Sequence, residues 1–326
     1  NGEKFVNEAL KKGACANISS KKKNENSKII KVQNVRECLG KICSKFFSNK
    51  PNNIIAVTGT NGKSSVADFF HQILNLNNIK VATIGTLGVK IKSFKKKNLT
   101  SPDVISLHKE LFKLKQKKIE NVMVEASSHG LDQGRLNGIN FKAGIFTNLS
   151  QDHLDYHKSI KNYLNSKLVL FNKLLKKKSF VITDSNIPEF KKIKKISIKK
   201  GFKIRSIQSL KNNYNFNNFS LIGDFQKKNL SMSIIACEIL GLNSINISKC
   251  FNKLKSVKGR LELVKKFSDN SKVFIDFAHT PDAIKNVLNT LKTNYKKNIS
   301  IVFGCGGERD KEKRKKIGRI VNKLCD

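Results

Sequence analysis

Residues 53–65 read Asn-Ile-Ile-Ala-Val-Thr-Gly-Thr-Asn-Gly-Lys-Ser-Ser. Ile54, Ile55, Ala56 and Val57 form a short apolar run of the kind buried on both faces of a parallel sheet. Beyond the glycines, Val66, Phe69, Phe70, Ile73 and Leu74 recur at helical spacing. This is the pattern of strand, tight loop and helix. Backbone N–H groups at the start of such a helix point out of the loop and attract a polyphosphate. Lys63 adds a point charge, and the Ser64 hydroxyl suits the Mg²⁺ that travels with a nucleotide. The common phosphate loop has a glycine five positions before Gly62, where this chain has Val57; Gly59 gives the shorter G-x-x-G-K-S. The loop is expected to bind nucleotide.

Working outward, strand-like runs occur at "VATIG" (81–85), "NVMVE" (121–125), "AGIFTNL" (143–149), "SFVIT" (179–183), "KVFIDFA" (272–278) and "ISIVFG" (299–304). Helical patterns lie between them, as in Val104, Leu107, Leu111 and Leu114, or Ile234, Ile235, Ile239 and Leu240. Alternating βα units imply an α/β fold with a doubly wound, mainly parallel sheet and ligands at the strands' C-terminal ends. Residues 184–220, rich in Lys, Asn and Ser, show no clear period and are expected to form irregular connections. Four strands run into polar loops: Glu125 into "ASSHGLDQGR", "IFTNLS" into "QDHLDYH", "VFIDFA" into "HTPD", and "IVFG" into "CGGERD". One histidine or aspartate after a strand is usually a cap or turn residue. Four such ends on the edge that carries the nucleotide loop point to a composite site.

The 326 residues leave room for two or three domains and a large core. No apolar run approaches a membrane span. Seven scattered cysteines make no C-x-x-C pair, which suggests neither a disulfide framework nor a zinc site and fits a reducing cytoplasm. A formal charge of +40 would ordinarily point to nucleic acid or an anionic surface. The lysines are dispersed, greatly outnumber arginine, and accompany abundant asparagine, isoleucine and phenylalanine with no tryptophan, as an AT-rich coding sequence would favour. Most of the charge is therefore expected on solvated faces, with no specific nucleic-acid partner.

These residues together resemble the Mur ligase family of ATP-dependent amide-bond formers, most closely the MurE type that adds the third amino acid of the peptidoglycan stem peptide. "TGTNGKSS" (58–65), "GTLG" (85–88), "LTSPD" (99–103), "EASSHGLDQGR" (125–135) and "TNLSQDHLDYH" (147–157) follow in family order. So do "KGRLELV" (258–264), "DFAHTPDA" (276–283) and "FGCGGERDKEKR" (303–314). The phosphate loop alone would fit folylpolyglutamate synthetase or another Mur ligase as well; the SSHGLDQGR and CGGERD segments favour the MurE type. A nucleic-acid ATPase would call for a D-E pair after a strand, and Glu125 is followed by "ASSHG".

The resemblance implies ATP and Mg²⁺ as cofactors. Gly59, Thr60, Asn61, Gly62, Lys63, Ser64 and Ser65 would hold the phosphates, with Ser64 on Mg²⁺. Glu125 and His153 would ligate a second ion, joined by Lys167 as a carbamate; Lys63, Glu125, His153 and Lys167 form the implied catalytic set. Asn229, Arg260, Asp276 and His279 would surround the rest of ATP. Thr100, Ser101, Ser127, Gln133 and Arg135 would grip a UDP-N-acetylmuramoyl-dipeptide, and Arg309 the carboxylate of the added diamino acid, meso-diaminopimelate or L-lysine. It further implies a cytoplasmic bacterial monomer that does not insert into a membrane. Three parts are expected: 1–33 as the tail of an N-terminal substrate-binding α/β domain, 34–255 as the central ATP-binding domain, and 256–326 as the first part of a Rossmann-like C-terminal domain. Both ends are expected to be cut, so that the chain as written could fold its central domain and yet be inactive.

Overall fold

The apolar run of residues 53–58 is the central strand of the molecule. The computed structural model describes residues 2–20, 28–91, 99–210, 213–216, 219, 221–306, 310 and 312–326. Helix α1 (Val6–Lys11) and a parallel pair, β1 (Asn17–Ser19) with β2 (Ile29–Lys31), precede α2 (Val35–Phe46). Then come β3 (Asn53–Thr58), α3 (Lys63–Leu76), β4 (Val81–Gly85), β5 (Gly88–Lys90), α4 (Val104–Gln116), β6 (Asn121–Glu125) and α5 (Ser128–Asp132). They are followed by β7 (Phe141–Phe146), α6 (Leu154–His157), α7 (Ile160–Val169), β8 (Leu175–Thr183), α8 (Phe190–Lys200), β9 (Lys203–Ser206) and α9 (Asp224–Ile239). Helix α10 (Ser244–Ser248) leads to an antiparallel pair, β10 (Glu262–Lys266) with β11 (Lys272–Ile275), and then to α11 (Pro281–Tyr295) and α12 (Glu312–Leu324).

Seven strands share one sheet in the order β5-β4-β6-β3-β7-β8-β9, parallel throughout except for the edge strand β5. From β3 the chain crosses to β4 on one side, returns through β6, and enters β7 on the other side. Strand order therefore reverses at β3, and a crevice at such a reversal is the usual ligand site of an open α/β sheet. Successive β3 side chains bury on opposite faces, as strand geometry requires. Ile55 and Val57 enter a core with α3 and α9, while Ile54 and Ala56 enter another with α4, α7 and α8. All four are at most 2% exposed. Helices on both faces make this the doubly wound α/β fold that the alternating pattern implies.

Four local expectations are corrected. Residues 184–220 are not irregular throughout, since they contain α8 and β9. The apolar stripe of α8 is interrupted where it matters: Ser197 takes an inward position beside Ile193, both 0% exposed, and its hydroxyl donates back to the Ile193 carbonyl at 2.9 Å. Residues 299–304 form no strand, because a strand needs a neighbour's donors and acceptors and no described strand pairs with them; Val302 is fully exposed. The run at 272–278 stops pairing at Ile275, and the run at 143–149 is paired over Phe141–Phe146, its last residues turning into the site.

Candidate functional site

The loop after β3 is shaped by two glycines. Gly59 has φ +146° and Gly62 has φ +88°, a region that side chains rarely adopt. A Cβ on Gly59 would lie 1.8 Å from Thr147 Oγ1, and one on Gly62 would lie 2.4 Å from Asn229 Oδ1. Backbone and side chains from the β7 end close over the loop. The Thr60 N–H donates to the Asn148 carbonyl at 2.9 Å, the Asn61 N–H to Asn148 Oδ1 at 2.9 Å, and Thr147 Oγ1 to the Asn61 carbonyl at 2.6 Å. α3 begins at Lys63, so its free N–H groups face the loop's concavity.

The loop carbonyls face two amines. Lys63 Nζ donates to the carbonyls of Gly59 (2.9 Å) and Thr60 (2.7 Å), and Lys167 Nζ from α7 donates to Gly59 at 2.8 Å. Lys167 is 1% exposed and lies over the Tyr163 ring, 4.2 Å from its centroid. Burial first, and the neighbouring Lys63 charge second, push its ammonium well below the usual lysine pKa. Lys63 is shifted the same way by burial and Arg260, opposed by Glu125. Burial thus favours the neutral form of Lys167 in a site already rich in positive charge.

Glu125 closes β6 and is 3% exposed. Its Oε2 accepts from Ser64 Oγ at 3.1 Å and Thr86 Oγ1 at 3.0 Å, and its Oε1 from the Thr86 N–H at 3.1 Å. Arg260 reaches Ser64 Oγ at 3.3 Å. A Mg²⁺ with oxygen ligands at about 2.0–2.1 Å in an octahedron sets neighbouring ligands about 2.9 Å apart. The Ser64–Glu125 spacing fits that edge. Among the described residues no cluster of three or more His, Cys, Asp or Glu side chains is arranged to hold a metal. An ion here would therefore complete its shell with phosphate and water, as Mg²⁺ commonly does.

Asp152, after β7, lies at the junction with the C-terminal residues. It accepts from His279 Nε2 at 3.2 Å and Lys313 Nζ at 3.4 Å, and pairs with His153 Nε2 at 3.3 Å. Burial raises its carboxyl, but the His279 hydrogen bond and the surrounding positive charges outweigh burial and hold it well below the usual carboxylate range. Burial drives His153 down to about 4, with Asp152 opposing, so at neutral pH it offers an uncharged ring nitrogen. Asn61 Nδ2 reaches Thr280 Oγ1 at 3.3 Å across the same junction. Asp276 takes the N–H groups of Leu261 (2.5 Å) and Ala278 (2.6 Å), while burial raises its carboxyl.

These groups surround a cavity of about 310 Å³ lined by the loop, Thr100, Ser127, His153, Lys167, Asn229, Arg260, Asp276 and His279. Ser101 sits just beneath. Its hydroxyl donates to the Glu125 carbonyl at 2.8 Å, lies 3.0 Å from Ser127 Oγ, and accepts the Ser127 N–H at 2.9 Å. Ser127 in turn caps α5 through the Gly130 N–H. Gln133 and Arg135 lie farther out, joined to each other through Gln133 Oε1, with Arg135 also donating to the Ser101 carbonyl at 2.9 Å. Ser65 is buried in the first turn of α3. Arg309 lies outside the described residues. Asp152, Thr86, Asn148 and Lys313 were not singled out from sequence, although each falls in or beside a polar strand-end motif. Their position within those motifs was the available signal.

Comparison with known proteins agrees with this arrangement. The Mur ligase middle domain model matches residues 57–241, and the Mur ligase glutamate ligase domain model matches residues 259–326. The UDP-N-acetylmuramoyl-L-alanyl-D-glutamate--2,6-diaminopimelate ligase of Rickettsia bellii is 41% identical, with 100% of this chain and 74% of the relative covered. The protein of that name from Rhizobium meliloti is 33% identical, over 100% of this chain and 72% of its own length. A solved structure of a UDP-N-acetylmuramoyl-L-alanyl-D-glutamate--2,6-diaminopimelate ligase superposes with TM-score 0.75 at 28% identity, covering 99% of this chain and 71% of that one. The MurF ligase from Thermotoga maritima in complex with ADP shares the fold, with TM-score 0.66 at 18% identity over 99% of this chain and 77% of that one.

Proposed function

The chain belongs to the Mur ligase family, and from that premise we propose that it joins meso-diaminopimelate to UDP-N-acetylmuramoyl-L-alanyl-D-glutamate with cleavage of ATP. It is an ATP-dependent ligase of peptidoglycan precursor synthesis. Diaminopimelate is chosen over L-lysine because the relatives at 33–41% identity are named for it. The observation that carries the function is the convergence of the glycine loop, His153 after β7, and the C-terminal Arg260 and His279 on one cavity, with Glu125 held beside it through Ser64 and Thr86.

The substrate carboxylate attacks the γ-phosphate in line, forming an acyl phosphate as the bond to ADP breaks; the incoming neutral amine then attacks the acyl carbon, expelling phosphate and losing a proton as the amide forms. Both partners in the first step are anions, so most of the barrier is charge repulsion. Lys63, Arg260 and the N–H groups of α3 are the chain's means of offsetting it. For Lys63 this means giving up the Gly59 and Thr60 carbonyls for phosphate oxygens. Ser64 would hold one Mg²⁺, with Glu125 beside it and Thr86 behind, and Glu125 and His153 would hold a second ion. The metal when bound supplies electrostatic stabilisation of the transferring phosphoryl group. The neutral amine of Lys167 that burial favours is the form able to take up CO₂ with release of a proton, and the carbamate so formed would place a negative charge beside His153. Thr100, Ser101, Ser127, Gln133 and Arg135 would position the muramoyl-dipeptide, Asn229, Asp276 and His279 the remainder of ATP, and Arg309 the carboxylate of the diamino acid. The proposed division is 1–33, 34–255 and 256–326, the last two meeting at the cavity.

Phosphate release tests the proposal, measured with ATP, Mg²⁺ and the UDP-muramoyl-dipeptide plus meso-diaminopimelate, L-lysine or no amino acid. Release that requires the dipeptide and diaminopimelate is expected. Release that responds to L-lysine alone overturns the choice of amino acid. Release that ignores the dipeptide and rises with single-stranded nucleic acid overturns the function.

A further inference from the structure

The positive charge is not spread evenly over the folded surface. Helix α8, FKKIKKISIKK, holds six lysines in eleven residues, all exposed. Residues 171–203 contain eleven lysines and two acids, Asp184 and Glu189. Asp184 is 1% exposed and already meets Lys228 at 2.9 Å. Among the described residues no lysine of α8 has an acidic partner. Lys176, Lys177 and Lys178 at the start of β8 are also exposed, and the Lys178 N–H donates to the Gly201 carbonyl just beyond α8. Strand start and helix end thus form one continuous basic face.

The face carries one apolar side chain. Ile193 and Ser197 point into the core, so a turn of 100° per residue sets Lys195 at the middle of the outward side and Ile198 next to it. The neighbours of Ile198 there, at three, four and seven positions back, are Lys195, Lys194 and Lys191. Ile198 is 71% exposed. An aliphatic side chain ringed by ammonium groups matches the boundary of an anionic bilayer, where lysines meet lipid phosphates and the apolar group enters the acyl margin. Nucleic acid would be better served by arginine forks or stacking rings. Residues 171–203 contain no arginine, tyrosine or tryptophan, and their phenylalanines are buried or half-buried.

We propose that the outer face of α8, with Lys176 to Lys178, is a docking surface for an anionic phospholipid bilayer. Association is peripheral: no helix among the described residues is long and apolar enough to cross a membrane. None of these side chains lines the cavity, so the docked protein keeps its site open to small-molecule substrates.

Co-sedimentation with vesicles at about 0.15 M salt, where surface charges are screened beyond about 8 Å, tests this. Vesicles of phosphatidylglycerol and phosphatidylcholine are compared with pure phosphatidylcholine. The expected result is binding to the anionic vesicles only. Replacing Lys191, Lys194, Lys195 and Lys199 together by Gln should weaken it about tenfold or more. Replacing Lys109, Lys113, Lys117 and Lys118 by Gln removes the same charge from in and just beyond another helix, α4, and should weaken it far less. Ile198→Asn, which changes no charge, should weaken it severalfold. Equal losses in the two lysine sets would reduce the effect to net charge and overturn the proposal, as would no binding or indifference to Ile198→Asn. Loss of single-stranded RNA binding in the α8 variant with vesicle binding intact would reassign the surface to nucleic acid. Circular dichroism and phosphate release, both expected unchanged, confirm that each variant is folded.

Discussion

The seven-stranded body and the residues from 259 onward are built to different depths. In the body, β3 sits between β6 and β7 with helices on both faces, and two extensive cores close around it. Beyond residue 259 the buried cluster among the described residues is Ile284, Leu288 and Ile317, with partly buried neighbours around them. The β10–β11 pair there leaves Leu263, Val264, Val273 and Ile275 between 43% and 51% exposed. Yet this shallow part supplies Arg260, Asp276 and His279 to the cavity. The phosphate loop is therefore preformed by its own domain, while the C-terminal contribution depends on how firmly a thinly packed segment is held against it.

The sharpest way to break that comparison is to cut the same kind of atom from each part. Phe70→Ala in α3 removes a ring that is 0% exposed and should cost about 3–5 kcal/mol. Val273→Ala in β11, from a side chain 43% exposed, should stay within about 0.5 kcal/mol. Chemical denaturation of the two variants checks this, and equal costs would mean that β11 is held as tightly as the body. A smaller effect should follow from the junction itself. Asp152→Asn keeps the side chain's shape but loses the charge facing His279 and Lys313. Loss of charged hydrogen bonds of this kind is worth about 1.5–3 kcal/mol, or roughly ten- to a hundredfold in kcat/KM. Unchanged kinetics would show that the C-terminal residues dock without this tie.

The smallest effect concerns pH and belongs to the body alone. His71 and His108 are 3% and 0% exposed, and burial lowers the pKa of both. Nδ1 of His108 is buried with no hydrogen-bond partner, so a proton there would have nowhere to donate. The unfolded chain takes up protons near the ordinary imidazole pKa of about 6.5, before the folded state does. Stability should therefore fall as pH drops below that value. The melting temperature between pH 7 and pH 5 checks the sign, and the double variant His71→Gln/His108→Gln should flatten the profile. An unchanged slope would place the acid sensitivity elsewhere.

The sequence by itself determined the body of this protein. Ile54 to Val57, the two loop glycines and the helical stripe from Val66 to Leu74 are local signals, each set by the period of its own element. They fixed strand, loop and helix, and the polar strand ends marked the edge where the site lies. Motif resemblance then supplied the family, including Lys167, which local pattern alone would leave as a solvated lysine. Tertiary structure decided the rest. It buried Lys167 against the Gly59 carbonyl and made Asp152 the meeting point of His279 and Lys313. It turned Ser197 inward so that α8 could form without a continuous apolar stripe, and it left residues 299–304 without a described strand partner. A side chain's pKa, its charge partners and a strand's neighbours depend on residues a hundred or more positions away, and no local period encodes them.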